Sequence, residues 1–110
     1  YAVVALSPEE LDERRRHMAE QGDFRRALRL AVLALLVRLD SAGVVSYHDS
    51  KTNGDYLREM PEDFALSPRI TDLLRKADRK LYGAASCGSS AYAKLDSTYR
   101  DIMRYIDERQ

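Results

Sequence analysis

Lys51-Thr52-Asn53-Gly54 sets a lysine, a hydroxyl and a glycine side by side, the residue types of a phosphate-binding loop. Such a loop needs Gly-x-x-x-x-Gly-Lys-Ser/Thr, because the glycines let backbone N–H groups wrap the phosphates while the lysine reaches their oxygens. Here the two glycine positions hold Val45 and Ser50, and the flanking patterns are helical rather than a buried strand feeding a helix. Nucleotide chemistry is therefore not expected. The same residues fit a different role: Thr52 with Asp55 three places on has the spacing of a capping box. Tyr56, Leu57 and Met60 then give one buried face of a short helix that ends before Pro61.

Cys87 is the only cysteine, and with His17 or His48 it formally offers a thiol nucleophile and a base. It lies in a loop of small residues beside Gly88, with no neighbouring base, oxyanion turn or orienting third group, so an incidental thiol is expected. A single cysteine forms no internal disulfide and no Cys-x-x-Cys zinc site, and it fits a reducing compartment. His48-Asp49 carries two metal-ligand types, yet the two histidines are not at i, i+4 on a helix. No catalytic residue, metal or cofactor is expected.

Arginine is the most conspicuous charged type. Seven stand between Arg14 and Arg38 against only Glu20 and Asp23. The residues expected to form an interaction surface are Arg15, Arg16, Arg25 and Arg29, facing an acidic protein or an anionic membrane. The competing expectation is a solvated helix face balanced by Glu9, Glu10, Asp12 and Glu13. Tyr92, Tyr99 and Tyr105 recur at helical spacing, which suits core and rim better than stacking on bases.

The elements that would position these residues are helical throughout. Ser7-Pro8-Glu9-Glu10 combines a serine N-cap, proline at the first helical position and glutamate at the third, so a first helix should run from about Pro8 to Gln21. Its polar middle suggests that it leans on the core from outside. Gly22 and Asp23 separate it from a second helix, about Phe24 to Asp40, whose Phe24, Ala27, Leu28, Ala31, Leu35 and Leu39 make it the apolar centre. Gly43 should end that helix in the left-handed conformation, with Val44 to Tyr47 as a short extended connector. Ser67-Pro68 should start a fourth helix with Ile70, Leu73, Leu74, Ala77 and Leu81 inside, stopped by Gly83. After a loop from Ala84 to Ser89, a fifth helix should bury Tyr92, Leu95, Tyr99, Ile102 and Ile106. The expected fold is all-α, a compact bundle of about five helices in one domain over residues 1–110, with the second helix enclosed by the third to fifth.

The totals limit function further. Eighteen cationic side chains balance eighteen anionic ones, so no global field attracts nucleic acid. The longest apolar run, Leu30 to Val37, is too short to span a bilayer and reads as a core segment. Tyr1 is not a methionine and Tyr-Ala-Val-Val-Ala-Leu is too short for a signal peptide, so a piece of a longer protein is expected.

Gly22 to Leu30, Leu35 to Leu39, Gly43-Val44-Val45, Lys51-Thr52-Asn53 with Tyr56-Leu57-Arg58, Leu81-Tyr82-Gly83 and Tyr92 occur in that order. The ordered set, over about residues 20 to 108, resembles the bacterial domain of unknown function numbered four-one-two-nine. Lys80-Leu81 stands where that family commonly has an aromatic pair. The resemblance implies a C-terminal domain of a bacterial membrane protein, at the cytoplasmic face of the inner membrane and often beside transglutaminase-like domains. It supplies no catalytic residues. The function expected is a non-catalytic accessory or interaction domain, its partner being the parent's membrane region, another protein, or a second copy. Two alternatives are a tetratricopeptide-like adaptor, suggested by Gly22-Asp23-Phe24 and Ala27 but lacking a 34-residue repeat, and a winged-helix nucleic-acid binder with Val44 to Tyr47 in a wing.

Overall fold

The computed structural model describes residues 6–83 and 86–109, and within them the chain forms five helices: α1 (Pro8–Glu20), α2 (Phe24–Ser41), α3 (Asn53–Glu59), α4 (Ser67–Tyr82) and α5 (Ser89–Glu108). The all-α bundle expected from the sequence is what forms. Residues 1–5 of the apolar N-terminal stretch and 84–85 of the small-residue loop lie outside the described residues.

Local chemistry sets the helix ends. Ser7 Oγ accepts from Glu10 N at 3.1 Å while Glu10 Oε1 accepts from Ser7 N at 3.1 Å, a reciprocal capping box that satisfies two otherwise unpaired donors. Leu6 packs against the core beside the fully buried Leu11, the N′ and N4 positions of a hydrophobic staple. Asp23 caps α2 through Arg26 N at 3.2 Å. Gly22 and Gly43 are the two described residues with left-handed backbone, at φ +80° and +76°, where a Cβ would be strained. With Gly22 turning the chain, α1 and α2 form an αα-hairpin.

Three expectations change. α1 does not merely lean on the outside: its packing on α2 is the most extensive between any two helices, and Leu11 is fully buried. A polar helix can pack this closely because its central cation, Arg15, also goes inward and finds acidic and phenolic partners there. α3 makes its main helix contact with α4 and not with α2. Finally, Ser67 does not cap α4. Its hydroxyl donates to Pro61 O at 3.0 Å, and Leu66 occupies the cap position without a side-chain hydrogen bond.

α2 is the centre, meeting α1, α4 and α5. It buries Ala27, Leu28, Ala31, Val32, Ala34, Leu35, Leu36 and Leu39, more than any one face of a helix can present. α4 and α5 contribute the stripes foreseen for them, including Ile70, Leu74, Tyr99 and Ile102. Val44 to Tyr47 crosses from α2 to α3 as irregular backbone, and the described residues contain no strand. A wing of the winged-helix type is thus absent among them.

Candidate functional site

The Lys51-Thr52-Asn53 stretch is wholly engaged in structure. Thr52 Oγ1 accepts from Asp55 N at 3.2 Å and Asp55 Oδ2 accepts from Thr52 N at 2.9 Å, completing the capping box of α3. These bonds hold the Asp55 carboxyl below its ordinary value, chiefly through the Thr52 backbone N–H. Lys51 Nζ donates to Ser46 O at 2.6 Å, pairs with Glu59, and lies over the Tyr56 ring at 5.4 Å. Glu59 also accepts from Ser46 N at 3.1 Å, and the Lys51 contact followed by this bond keeps its carboxyl acidic. The Asn53 amide donates to Asp78 at 2.7 Å, tying α3 to α4. The lysine that a phosphate loop would need is neutralised and fixed.

This local network has an effect one layer further in. Tyr56 is buried, its hydroxyl donating to His48 O at 2.7 Å and accepting from His48 N at 3.2 Å. Its ring stacks on Tyr47, with centroids 6.1 Å apart and planes within 4°. The capping box therefore positions Tyr56, and Tyr56 holds the irregular connector so that Tyr47 faces α2.

The four arginines expected to share one face do not. Arg15 is 4 % exposed, the sole buried charged residue among those described. Its guanidinium donates to Asp12 at 3.0 Å and to the Tyr92 hydroxyl at 2.9 Å, pairs with Asp96, and lies over the Tyr99 ring at 5.1 Å. Burial alone would lower its pKa, but the bonds to Tyr92 and Asp12 outweigh that and hold it above the ordinary arginine value. Tyr99 in turn donates to Asp12 at 3.0 Å, and burial, with Asp12 adding to it, pushes its phenol far above the usual range. No buried side-chain polar atom among the described residues lacks a partner. Arg15 thus links α1 to α5 and is withdrawn from any docking surface. Arg16 reaches Asp12 at 3.9 Å on the other flank of α1, beside a cleft of about 580 Å³ that contains Met103. Arg25 donates to Lys80 O at 3.3 Å, satisfying a carbonyl in the last turn of α4. Of the four, Arg29 alone borders a groove between α1 and α2.

That groove, about 990 Å³, runs along the α1–α2 hairpin and opens to solvent. Half-buried Met18, Leu30, Leu33 and Tyr47 make its apolar floor and one wall. Arg14 and His17 of α1 and Arg26 and Arg29 of α2 border it toward the Gly22 turn, while Glu10 and Glu13 border it toward the other end of α1. Arg26 pairs with Asp23 at 3.5 Å, whereas Arg14, Arg29 and Glu13 form no ion pair among the described residues. The groove exists because α2 is apolar on two sides. α4 and α5 cover one side, and α1 packs closely on the other but leaves Leu30 and Leu33 half-buried between Met18 and Tyr47.

Cys87 is half-buried, and burial raises its thiol pKa against the opposing influence of Lys80 and Arg25. His17 and His48, the bases considered for it, instead contact Gln21 at 3.1 Å and Ser46 at 3.4 Å. Among the described residues no three His, Cys, Asp or Glu side chains gather as a metal site, and no helix is long and apolar enough to cross a membrane. Tyr92 and Tyr99 belong to the core, and Tyr105 is half-buried under Arg109 at 4.5 Å. A comparison with protein-family models, curated proteins and solved structures finds no match to this chain.

Proposed function

We propose that this chain is a non-catalytic docking module, and that the α1–α2 groove receives a helical segment of a partner protein. One observation carries the proposal: Met18, Leu30, Leu33 and Tyr47, each only half-buried, come together on the floor of one solvent-open groove of about 990 Å³ along the α1–α2 hairpin. Connected apolar surface with a polar rim is the signature of an interaction site. A trough between two helices fits the apolar stripe of a third. The fixed state of Lys51, the raised thiol of Cys87 and the separate contacts of the two histidines favour docking over catalysis.

The accessory role beside a bacterial membrane protein, on the cytoplasmic face, rests on the sequence resemblance alone. In that setting the partner helix would belong to the parent protein or to one of its neighbours. An anionic membrane is less well served, because the arginines expected to face it point to different places.

The test is site-specific photo-cross-linking in the source cells, with p-benzoylphenylalanine replacing Met18 in the groove or Ala93 on the exposed side of α5. The expected result is one defined adduct from position 18, mapped to a helix of an identified protein, absent from position 93 and weakened by Leu33→Glu. Equal adducts from both positions, or none from position 18, would overturn the assignment.

A further inference from the structure

We infer that the occupant of the groove is an amphipathic helix bearing acidic groups at one end and basic groups at the other, its acidic turn lying over Arg14, Arg26 and Arg29. The inference rests on the groove being the docking surface proposed above, and it specifies the chemistry of what docks there.

The two helices of the hairpin run antiparallel. Because Gly22 reverses the chain, the second half of α1 lies beside the first half of α2, so Arg14 and His17 share one end of the groove with Arg26 and Arg29. Toward the start of α1, Glu10 lies about one turn before Arg14 and Glu13 about one turn before His17. Seven residues of helix separate Glu10 from His17, a span of about 10 Å or two turns of an incoming helix. Over that length the rim changes from acidic to basic while the floor stays apolar.

Compensation inside the molecule is incomplete at both ends. Arg14, Arg29 and Glu13 have no ion pair among the described residues, and the Arg26–Asp23 contact is surface-exposed. The Glu10 carboxyl is held acidic, first by the Ser7 backbone N–H, so it stays charged near neutral pH. Several charges away from the groove are paired: Arg38 with Asp107 at 2.8 Å, Arg100 with Asp96 at 3.0 Å and Lys76 with Asp72 at 2.9 Å. At the groove rim, charges of both signs border half-buried apolar side chains, and Arg14, Arg29 and Glu13 among them form no ion pair among the described residues. A uniformly acidic or basic helix would meet repulsion at one end, and a bipolar one meets attraction at both.

Three stapled helical peptides test this. All carry leucines at i, i+3, i+4 and i+7, and they differ in having glutamates at one end with lysines at the other, glutamates at both ends, or lysines at both ends. Binding is followed by fluorescence anisotropy in low salt, where rim charges are least screened. The bipolar peptide should bind at least about 5-fold more tightly than either of the others, the scale expected from two exposed charge contacts. In the Arg26→Glu/Arg29→Glu variant, whose exposed positions leave helix content unchanged by circular dichroism, preference should pass to the all-lysine peptide. Equal binding of all three peptides would overturn the charge assignment while leaving the groove as a docking surface, whereas no binding by any would remove the docking surface itself. Concentration-dependent dimerisation abolished by Leu33→Glu would overturn it too, by making a second copy the occupant.

Discussion

Arg15→Ala should be among the most damaging single changes in this protein, although the residue lies in an arginine run that looks like surface. Arg15 is 4 % exposed and serves Asp12, Asp96, Tyr92 and Tyr99 at once. Removing one partner of a buried ion pair costs about 3–5 kcal/mol, since the other charge is left uncompensated. Two facts reduce that figure here. The Asp12 and Asp96 side chains keep 30 % and 15 % exposure, and Arg16 and Arg100 remain near them. A loss of about 2–3 kcal/mol is the resulting expectation. For a chain of this size it corresponds to a melting temperature lower by roughly 8–12 °C. Urea denaturation with an unchanged m-value gives the energy, and thermal unfolding followed by circular dichroism gives the shift. The cycle with Asp96→Ala should reveal a coupling of about 1–3 kcal/mol. A loss below about 0.5 kcal/mol would place Arg15 among ordinary surface residues and refute the buried network.

Further outcomes follow from the same geometry. Thr52→Ala removes the cap of α3 and should cost about 1 kcal/mol in urea denaturation, with α3 amides exchanging faster by mass spectrometry. Gly43→Ala forces a Cβ into the left-handed region and should cost about 1–2 kcal/mol, although nothing crowds the site. Depressed folded values at Glu10, Asp55 and Glu59 mean that the unfolded chain binds protons first as acid is added. Stability should therefore be intact above the ordinary glutamate value of 4.5 and fall as the pH drops below it, with a shallower fall in Glu59→Gln. Tyr99 is raised instead, so its contribution is complete below the ordinary tyrosine value of 10.0 and fades as the pH rises beyond it, which Tyr99→Phe should diminish in alkaline titration.

Much of the architecture was legible because its signals were local. Two capping boxes, the Gly22 and Gly43 breaks and the apolar stripes of α2, α4 and α5 each depend on residues within a few positions of one another. What was not legible depended on residues distant in the chain. Arg15 finds Tyr92 and Asp96 some eighty positions away, and no spacing within α1 distinguishes it from Arg14 or Arg16. Ser67 looks like a cap, but the turn after Pro61 takes its hydroxyl first. α3 docks on α4 because Asn53 meets Asp78, a pairing invisible to a periodicity argument. The groove did leave a trace. Leu30 to Val37 is an unbroken apolar run, and a helix with a single buried side has no place there for Leu30, Leu33 and Val37. Read only as evidence of a core segment, that surplus concealed the second apolar side on which the groove is built.

Where a partner helix binds can be read directly, because the three methionines supply probes without any mutation. Met18 lies in the proposed groove, Met103 in the smaller cleft beside Arg16, and Met60 in the core behind α3. With their methyl groups carbon-13 labelled, titration with the bipolar peptide should shift the Met18 resonance progressively to saturation and leave those of Met60 and Met103 in place. A shift confined to Met103, or movement of all three together, would contradict binding in the groove.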